Sequence, residues 1–343
     1  MEEASAKDTA AADSQMKAVL DELTELSPKP IETLSADDAR EQPTPGDAVM
    51  KLLKKQGKST DPQPVGDVEN RKIPGADGKI PVRVYTPEGT GPFPIIVYYH
   101  GGGWVIATID TYDSSARALA SAANAIVVAV EYRKAPEYRF PAAHEDAYTA
   151  YVWTLEHAQE IKGDSSKVAV AGESAGGNLA AAVSMMARDR GKPLPVHQLL
   201  IYPVAGYDFN TPSYQKNANA KPLNKAMMPW FFEKYLRSPS DAEHPHISLT
   251  KAANLQGLPP ATIIAAEIDP LQSEGRQYAD KLQATGVPVT YKNFPGVTHE
   301  FFGMSAVLDK AKQAVALAAT ELKQSFRNAA HSMPQPMPSH SAR

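Results

Sequence analysis

Cysteine is absent from the 343 residues. That excludes a disulfide framework and any thiolate metal centre, and it leaves the compartment open. Long apolar runs are missing as well: no stretch of eighteen hydrophobic residues occurs, so no segment can span a bilayer as a helix or serve as a stable membrane anchor. The residues from Met1 to Asp13 are acidic and alanine-rich, with no hydrophobic signal region. As written, the chain therefore carries no secretory signal; the expected location is cytoplasmic, and a secreted or periplasmic one would require a leader removed beforehand. Positive charge is not in excess either. The formal net charge is −4 and no basic stripe interleaved with aromatics occurs, which argues against a nucleic-acid partner. Lys51, Lys54, Lys55 and Lys58 read as the solvated face of a helix. There is no internal repeat.

What is present suits one enzyme-sized α/β unit. With 43% hydrophobic and 22% charged residues the chain can bury a large core, and its alternating strand and helix patterns argue for one mostly parallel sheet. Val68 to Pro74 and Lys79 to Thr86 alternate like a hairpin around Asp77-Gly78. Six more strands are expected at Pro94–Tyr99, Ala125–Glu131, Lys167–Ala171, Gln198–Tyr202, Ala261–Ala266 and Val287–Phe294, joined by helical crossovers. Met16, Val19, Leu20, Leu23 and Leu26 recur at helical spacing, as do Val49, Met50, Leu52 and Leu53, giving two amphipathic helices ahead of the first strand. A second departure from the scaffold, about Tyr207 to Leu249, carries Met227, Met228, Trp230, Phe231, Phe232 and Tyr235. The expected division is N-terminal helices at 1–56, scaffold at 57–206, an insertion at 207–250, scaffold again at 251–327 and a disordered, proline- and serine-containing tail at 328–343.

The chemistry concentrates in Gly172-Glu173-Ser174-Ala175-Gly176, between the apolar run Lys167 to Ala171 and the alanine-rich stretch Asn178 to Met186. A serine with a glycine two residues away on each side, between strand and helix, suits a nucleophile elbow: the strained turn pushes the hydroxyl outward, and only tiny neighbours avoid it. The following helix aims its free N–H groups at the place where negative charge develops in acyl transfer. His100-Gly101-Gly102-Gly103-Trp104 sits after another strand-like run. No Lys-Ser/Thr follows it and no Gly-x-Gly-x-x-Gly opens a helix, which disfavours a phosphate cradle. Gly101, Gly102 and Gly103 are candidates for an oxyanion hole, the amides of Gly102 and Gly103 donating together with that of Ala175.

A serine hydroxyl needs a base and an orienting acid. Among nine histidines, His299 lies in the turn after the last strand, Phe294 to Phe302. Asp269 follows the run Ala261 to Ala266 at a strand's carboxyl end, where open α/β sheets place their chemistry. Asp208, at the start of the insertion, and Glu267, ahead of the turn, are the alternative acids. The order Ser174, Asp269, His299 is what singles these residues out.

Taken together, HGGGW at 100–104, EYRKAPEYRFPAAHEDAY at 131–148, GESAGGNLA at 172–180, IDPLQSEG at 268–275 and GVTHEFFGM at 296–304 resemble the hormone-sensitive lipase family, the bacterial family IV carboxylesterases. The resemblance spans roughly residues 80 to 320. Lys134 stands where the family usually has leucine, and Glu173 where it often has aspartate. The resemblance implies an α/β-hydrolase fold, with a mostly parallel eight-stranded sheet flanked by helices and a helical cap built from the N-terminal helices and the insertion. It implies Ser174 as nucleophile, His299 as base, Asp269 as its orienter, and Trp104, Met227, Trp230 and Phe231 beside the substrate. Glu131, Arg133 and Glu137 look like a structural ion-pair network beneath the site. The implied partner is a small-molecule ester, hydrolysed without cofactor or metal; a homodimer through the last strand, as in look-alikes, is a further expectation. Amide or peptide cleavage by the same triad is one alternative. Ligand binding without turnover, as in the gibberellin receptors that resemble this family, is another, and the presence of a base at His299 speaks against it.

Overall fold

The computed structural model describes residues 11–331. Eight strands form one sheet in the order β1-β2-β4-β3-β5-β6-β7-β8. They are β1 (Asp67–Gly75), β2 (Gly78–Thr86), β3 (Phe93–Tyr99), β4 (Ile126–Val130), β5 (Gly163–Glu173), β6 (Gln198–Ile201), β7 (Ala261–Ile268) and β8 (Val289–Thr298). β1 and β2 pair antiparallel, as do β2 and β4, and every other neighbour pair is parallel. The hairpin closes one residue earlier than its Asp-Gly signal implies. Gly75 pairs with Gly78, so Ala76 and Asp77 form the turn.

The central strands are apolar throughout because both faces of the sheet are covered. Along β3, Ile95, Val97 and Tyr99 enter one core layer while Ile96 and Tyr98 enter the other. The first layer holds α5 (Ala142–His157), α6 (Ala175–Asp189), α8 (Met227–Tyr235) and α9 (Gln272–Ala284). The second holds α4 (Asp113–Ala123) and α10 (Asp309–His331), together with the apolar faces of α1 (Ser14–Leu26) and α3 (Pro45–Lys55). Residues 328–331 continue α10, so the helix runs past the expected start of the tail. The rest of that tail, from 332 on, lies outside the described residues.

Both amphipathic helices ahead of the sheet form where their periodicity places them. Asp13 caps α1, and a Thr44–Asp47 capping box starts α3. Lys51 and Lys55 of α3, expected to face solvent, bond Glu22 and Glu25 of α1. Between these helices the chain forms a further short helix, α2 (Ala36–Arg40), opened by a Ser35 cap. Its five residues, Ala-Asp-Asp-Ala-Arg, offer no apolar period to read. Between β6 and β7 come α7 (Pro212–Lys216) and α8. No helix among the described residues is long and apolar enough to cross a membrane.

Candidate active site

β5 ends at Glu173 and α6 begins at Ala175, leaving Ser174 alone in the turn at φ 56°, ψ −117°. A non-glycine residue reaches that region only when its surroundings hold it there. The two flanking glycines explain how they do: a Cβ on Gly172 would strike the backbone of Gly176, and one on Gly176 would strike the Tyr99 and His100 carbonyls at the end of β3. The turn is therefore packed backbone against backbone. Because α6 starts immediately afterwards, the Ala175 amide is among those with no acceptor inside the helix.

His299 follows the last residue of β8, and its Nε2 lies 3.0 Å from Ser174 Oγ. Its Nδ1 lies 2.7 Å from Asp269 Oδ2, just past the end of β7. The second carboxylate oxygen of Asp269 accepts the Leu271 amide at 2.8 Å, and Asn217 fastens the same turn by donating to the Asp269 carbonyl at 3.1 Å. All three side chains are buried. In this arrangement Nδ1–H donates to Asp269, and Nε2 is free to accept the serine proton. Burial acts to lower the His299 pKa, but the Asp269 carboxylate, aided by Glu300 and Glu173, outweighs it and holds the imidazole above its ordinary value of 6.5.

The other acid candidates lie elsewhere. Asp208 is exposed and accepts the Asn210 amide, while Glu267 accepts the Gly296 amide and ties the end of β7 to β8.

Ser174 and His299 open onto a cavity of about 800 Å³, whose wall includes Gly102 and Gly103 at φ 91° and 59°. A sequence profile described as the alpha/beta hydrolase fold matches residues 96–303, which contain all of these elements. The chain belongs to the hormone-sensitive lipase family of α/β-hydrolases. It is similar to carboxylesterase NlhH of Mycobacterium tuberculosis, at 42% identity over 265 residues, 76% of this chain and 83% of that protein. Ethyl acetate hydrolase of Pseudomonas putida is 33% identical over 86% of this chain and 92% of its own length. Among solved structures, the hyperthermophilic esterase of Pyrobaculum calidifontis superposes with a TM-score of 0.80 at 38% identity, covering 88% of this chain and 95% of that one.

The hydrolase's predicted site residues divide by where their side chains point. Met227 and Phe231 line the cavity, joined by Met228. Phe231 sits on Gly103 so closely that a Cβ there would run into its ring. Trp104 and Trp230 are not on the wall, contrary to expectation. Trp104 is fully buried, stacked on Tyr235 with ring centroids 4.5 Å apart, because the chain turns through Gly102 and Gly103 and sends the indole into the core. Trp230 packs edge-on against Phe231, ring centroids 5.2 Å apart, and donates its indole N–H to the Leu34 carbonyl at 3.1 Å. Gly101 also lies off the wall; its carbonyl accepts the Tyr132 hydroxyl, and a Cβ on it would collide with Tyr112.

The expected ion-pair network resolves into separate pairs. Glu131 meets Lys134 at 2.6 Å, Arg133 grips Asp146, and Glu137 pairs with Arg40 of α2 at 2.7 Å. Arg40 also donates to the carbonyls of Val105, two residues past Gly103, and of Ala135.

Two carboxyls close to His299 carry no role in the sequence reading. Glu173 is buried under the elbow and accepts the hydroxyls of Tyr98, at 2.5 Å, and Tyr202, whose ring lies 4.5 Å from that of His299. Burial, with the nearby Glu300 charge, pushes Glu173 up to about 7. Glu300, at φ 71°, accepts the Tyr112 hydroxyl at 2.6 Å and puts Oε1 3.7 Å from His299 Nε2. An acidic side chain directly after a candidate base was the available signal for Glu300; the tyrosines that bond these carboxyls lie far away in sequence and gave none.

Proposed function

We propose that this protein is a serine carboxylesterase that hydrolyses short- to medium-chain esters through an acyl-enzyme. One observation carries the reading: Asp269, His299 and Ser174 form a continuous hydrogen-bonded chain, and it ends in a largely apolar cavity bounded by the glycine loop. In the first half-reaction His299 Nε2 removes the Ser174 proton as Oγ attacks the ester carbonyl. The amides of Gly102, Gly103 and Ala175 hold the resulting oxyanion. His299 then gives its proton to the departing alcohol oxygen, leaving the acyl group on Ser174. Water, deprotonated by the same nitrogen, releases the acid. Asp269 keeps Nδ1 protonated and stabilises the transient imidazolium without taking a proton itself.

The cavity wall supports a cap. Much of it comes from the connection between α1 and α3, where Pro28, Ile31 and Arg40 line it, and from the segment carrying Leu223, Met227 and Phe231. The indole of Trp230 on Leu34 joins these two parts. A roof of this kind fits acyl chains of roughly four to eight carbons in a pocket of ordinary ligand size. β8 is one edge of the sheet and β1 the other, and the homodimer suggested by the family resemblance would pair through β8; light scattering distinguishes dimer from monomer.

Burst release of alcohol from p-nitrophenyl butyrate, followed by a series of longer acyl chains, tests the main reading. Turnover of an activated ester with a decline beyond about eight carbons is expected. Binding without turnover would identify a receptor and overturn the proposal.

A further inference from the structure

Glu300 lies beside the nitrogen that protonates the leaving alcohol. His299 Nε2 protonates that alcohol's oxygen, so the oxygen has to come within hydrogen-bond distance of Nε2, about 3 Å. Glu300 Oε1 is 3.7 Å from the same nitrogen. A leaving oxygen in contact with Nε2 is therefore no more than about 7 Å from the Glu300 carboxyl, and a charge carried two carbons further along the alcohol, up to about 4 Å beyond that oxygen, comes closer than this where the alcohol turns toward Glu300. Glu300 lines the cavity, and among the described residues the protein gives it one hydroxyl donor, Tyr112.

The charges around it are unbalanced. Asp269 holds the other side of His299, and Glu173 lies beneath it behind Tyr202. The cations on the wall are engaged or peripheral. Arg40 pairs with Glu137 and Asp37, Lys134 pairs with Glu131 and bonds the Ala107 carbonyl, and Lys29 and Lys221 are exposed side chains screened by solvent. Burial raises the Glu300 carboxyl above its ordinary value while the Tyr112 hydroxyl opposes that rise; once Glu300 is ionised and His299 neutral, as the first step requires, the buried end of the cavity is negative.

Resting on the esterase reading, we infer that Glu300 makes the leaving-group end of this cavity select esters of cationic amino alcohols over neutral esters of the same shape, and neutral over anionic ones. In a poorly solvated cavity a carboxylate attracts an ammonium several ångströms away more strongly than it would in water, because the effective dielectric is lower. The alcohol is bound by this charge before proton transfer, so the preference falls mainly on KM.

The test compares three butyrate esters at pH 8: butyrylcholine, its uncharged isostere 3,3-dimethylbutyl butyrate, and 3-butyryloxypropanoate. The expected order of kcat/KM is cationic, neutral, anionic, with at least about tenfold between the first two. Glu300→Gln should bring the cationic and neutral esters within about threefold of each other through a higher KM for butyrylcholine, and Glu300→Asp should restore part of the gap. A wild-type ratio of one or below overturns the inference, as does a ratio unchanged in Glu300→Gln. A wild-type ratio of one or below overturns it even where a variant does not fold, and Glu300→Asp provides the attribution to Glu300 where Glu300→Gln fails to fold. If p-nitrophenyl butyrate is not turned over, the esterase reading itself fails. If it is, and all three butyrates react alike, only the role of Glu300 fails.

Discussion

Ser174 and His299 work on one proton, so removing either removes nearly all that the pair contributes. Ser174→Ala and His299→Ala should each cut kcat by at least about 10⁴-fold with an unchanged circular-dichroism spectrum, and the double variant should be little worse than either. Near-normal turnover by folded Ser174→Ala would end the assignment. Asp269→Asn should cost about 10³- to 10⁴-fold, because an amide can support the wrong imidazole tautomer, whereas exposed Asp208→Asn should act mildly. The raised pKa of His299 fixes the direction of the pH profile. The neutral base is lost as pH falls through that value, so the acid limb of kcat/KM belongs above pH 6.5, the ordinary histidine value. Removing the Glu300 charge takes away one of the influences that raise it, and the limb should move toward lower pH in Glu300→Gln. A limb that stays in place would mean that Glu300 does not act on His299.

Among the elements, α2 shows how a short polar helix can hold a roof in place. Arg40 bonds Glu137, the Ala135 carbonyl and the Val105 carbonyl close to the glycine loop. Arg40→Ala should destabilise the fold by about 1–3 kcal/mol, because charge-assisted bonds are lost and two carbonyls lose a donor. It should also raise KM for all esters alike; a loss confined to kcat with normal stability would count against the roof. Gly103→Ala is a second probe. The new methyl must displace Phe231 and sits at a left-handed φ, so turnover should fall while melting changes less than for Gly176→Ala, whose methyl meets backbone. Sequence patterns located α1, α3, every strand and the elbow, because periodicity and glycine spacing report local geometry. They placed the N-terminal part of the roof in the two amphipathic helices, where the structure mainly uses the connection between them, with α1 contributing Leu23 and Thr24 and α3 its first residue, Pro45, to the wall. Those helices spend their apolar faces on the core, and a connection such as 27–44 reveals its role only through partners remote in sequence. Trp104 and Trp230 were misplaced for the same reason: an aromatic near a site shows no direction until the backbone is known.

For the molecule as a whole, the buried titratable groups pull stability down on both sides of one pH. Burial pushes His144 down to about 3, and His100, His197 and His246 to about 4. These stay neutral in the fold while the unfolded chain takes up protons below about 6.5, so their contribution is complete above that pH and is lost as pH falls toward the folded values. Burial raises Glu173 to about 7 and Glu274 to about 8. Each keeps its proton in the fold when the unfolded chain has released it, so stability also declines as pH rises from the ordinary carboxyl range toward 8. With more histidines than glutamates in the balance, the melting temperature should peak at about pH 6 and fall in both directions; a steady rise from pH 5 to 9 would contradict this. The origin of the cavity wall has a consequence of another kind. Ser174, Asp269 and His299 stand at the ends of sheet strands, whereas much of what touches the rest of the ester comes from chain before β1 and between β6 and β7. Inheritance can therefore rewrite taste and reactivity separately: a library diversified at Ile31, Leu223, Met227 and Met228 should yield descendants with altered ester preferences while the machinery that breaks the bond is passed on intact.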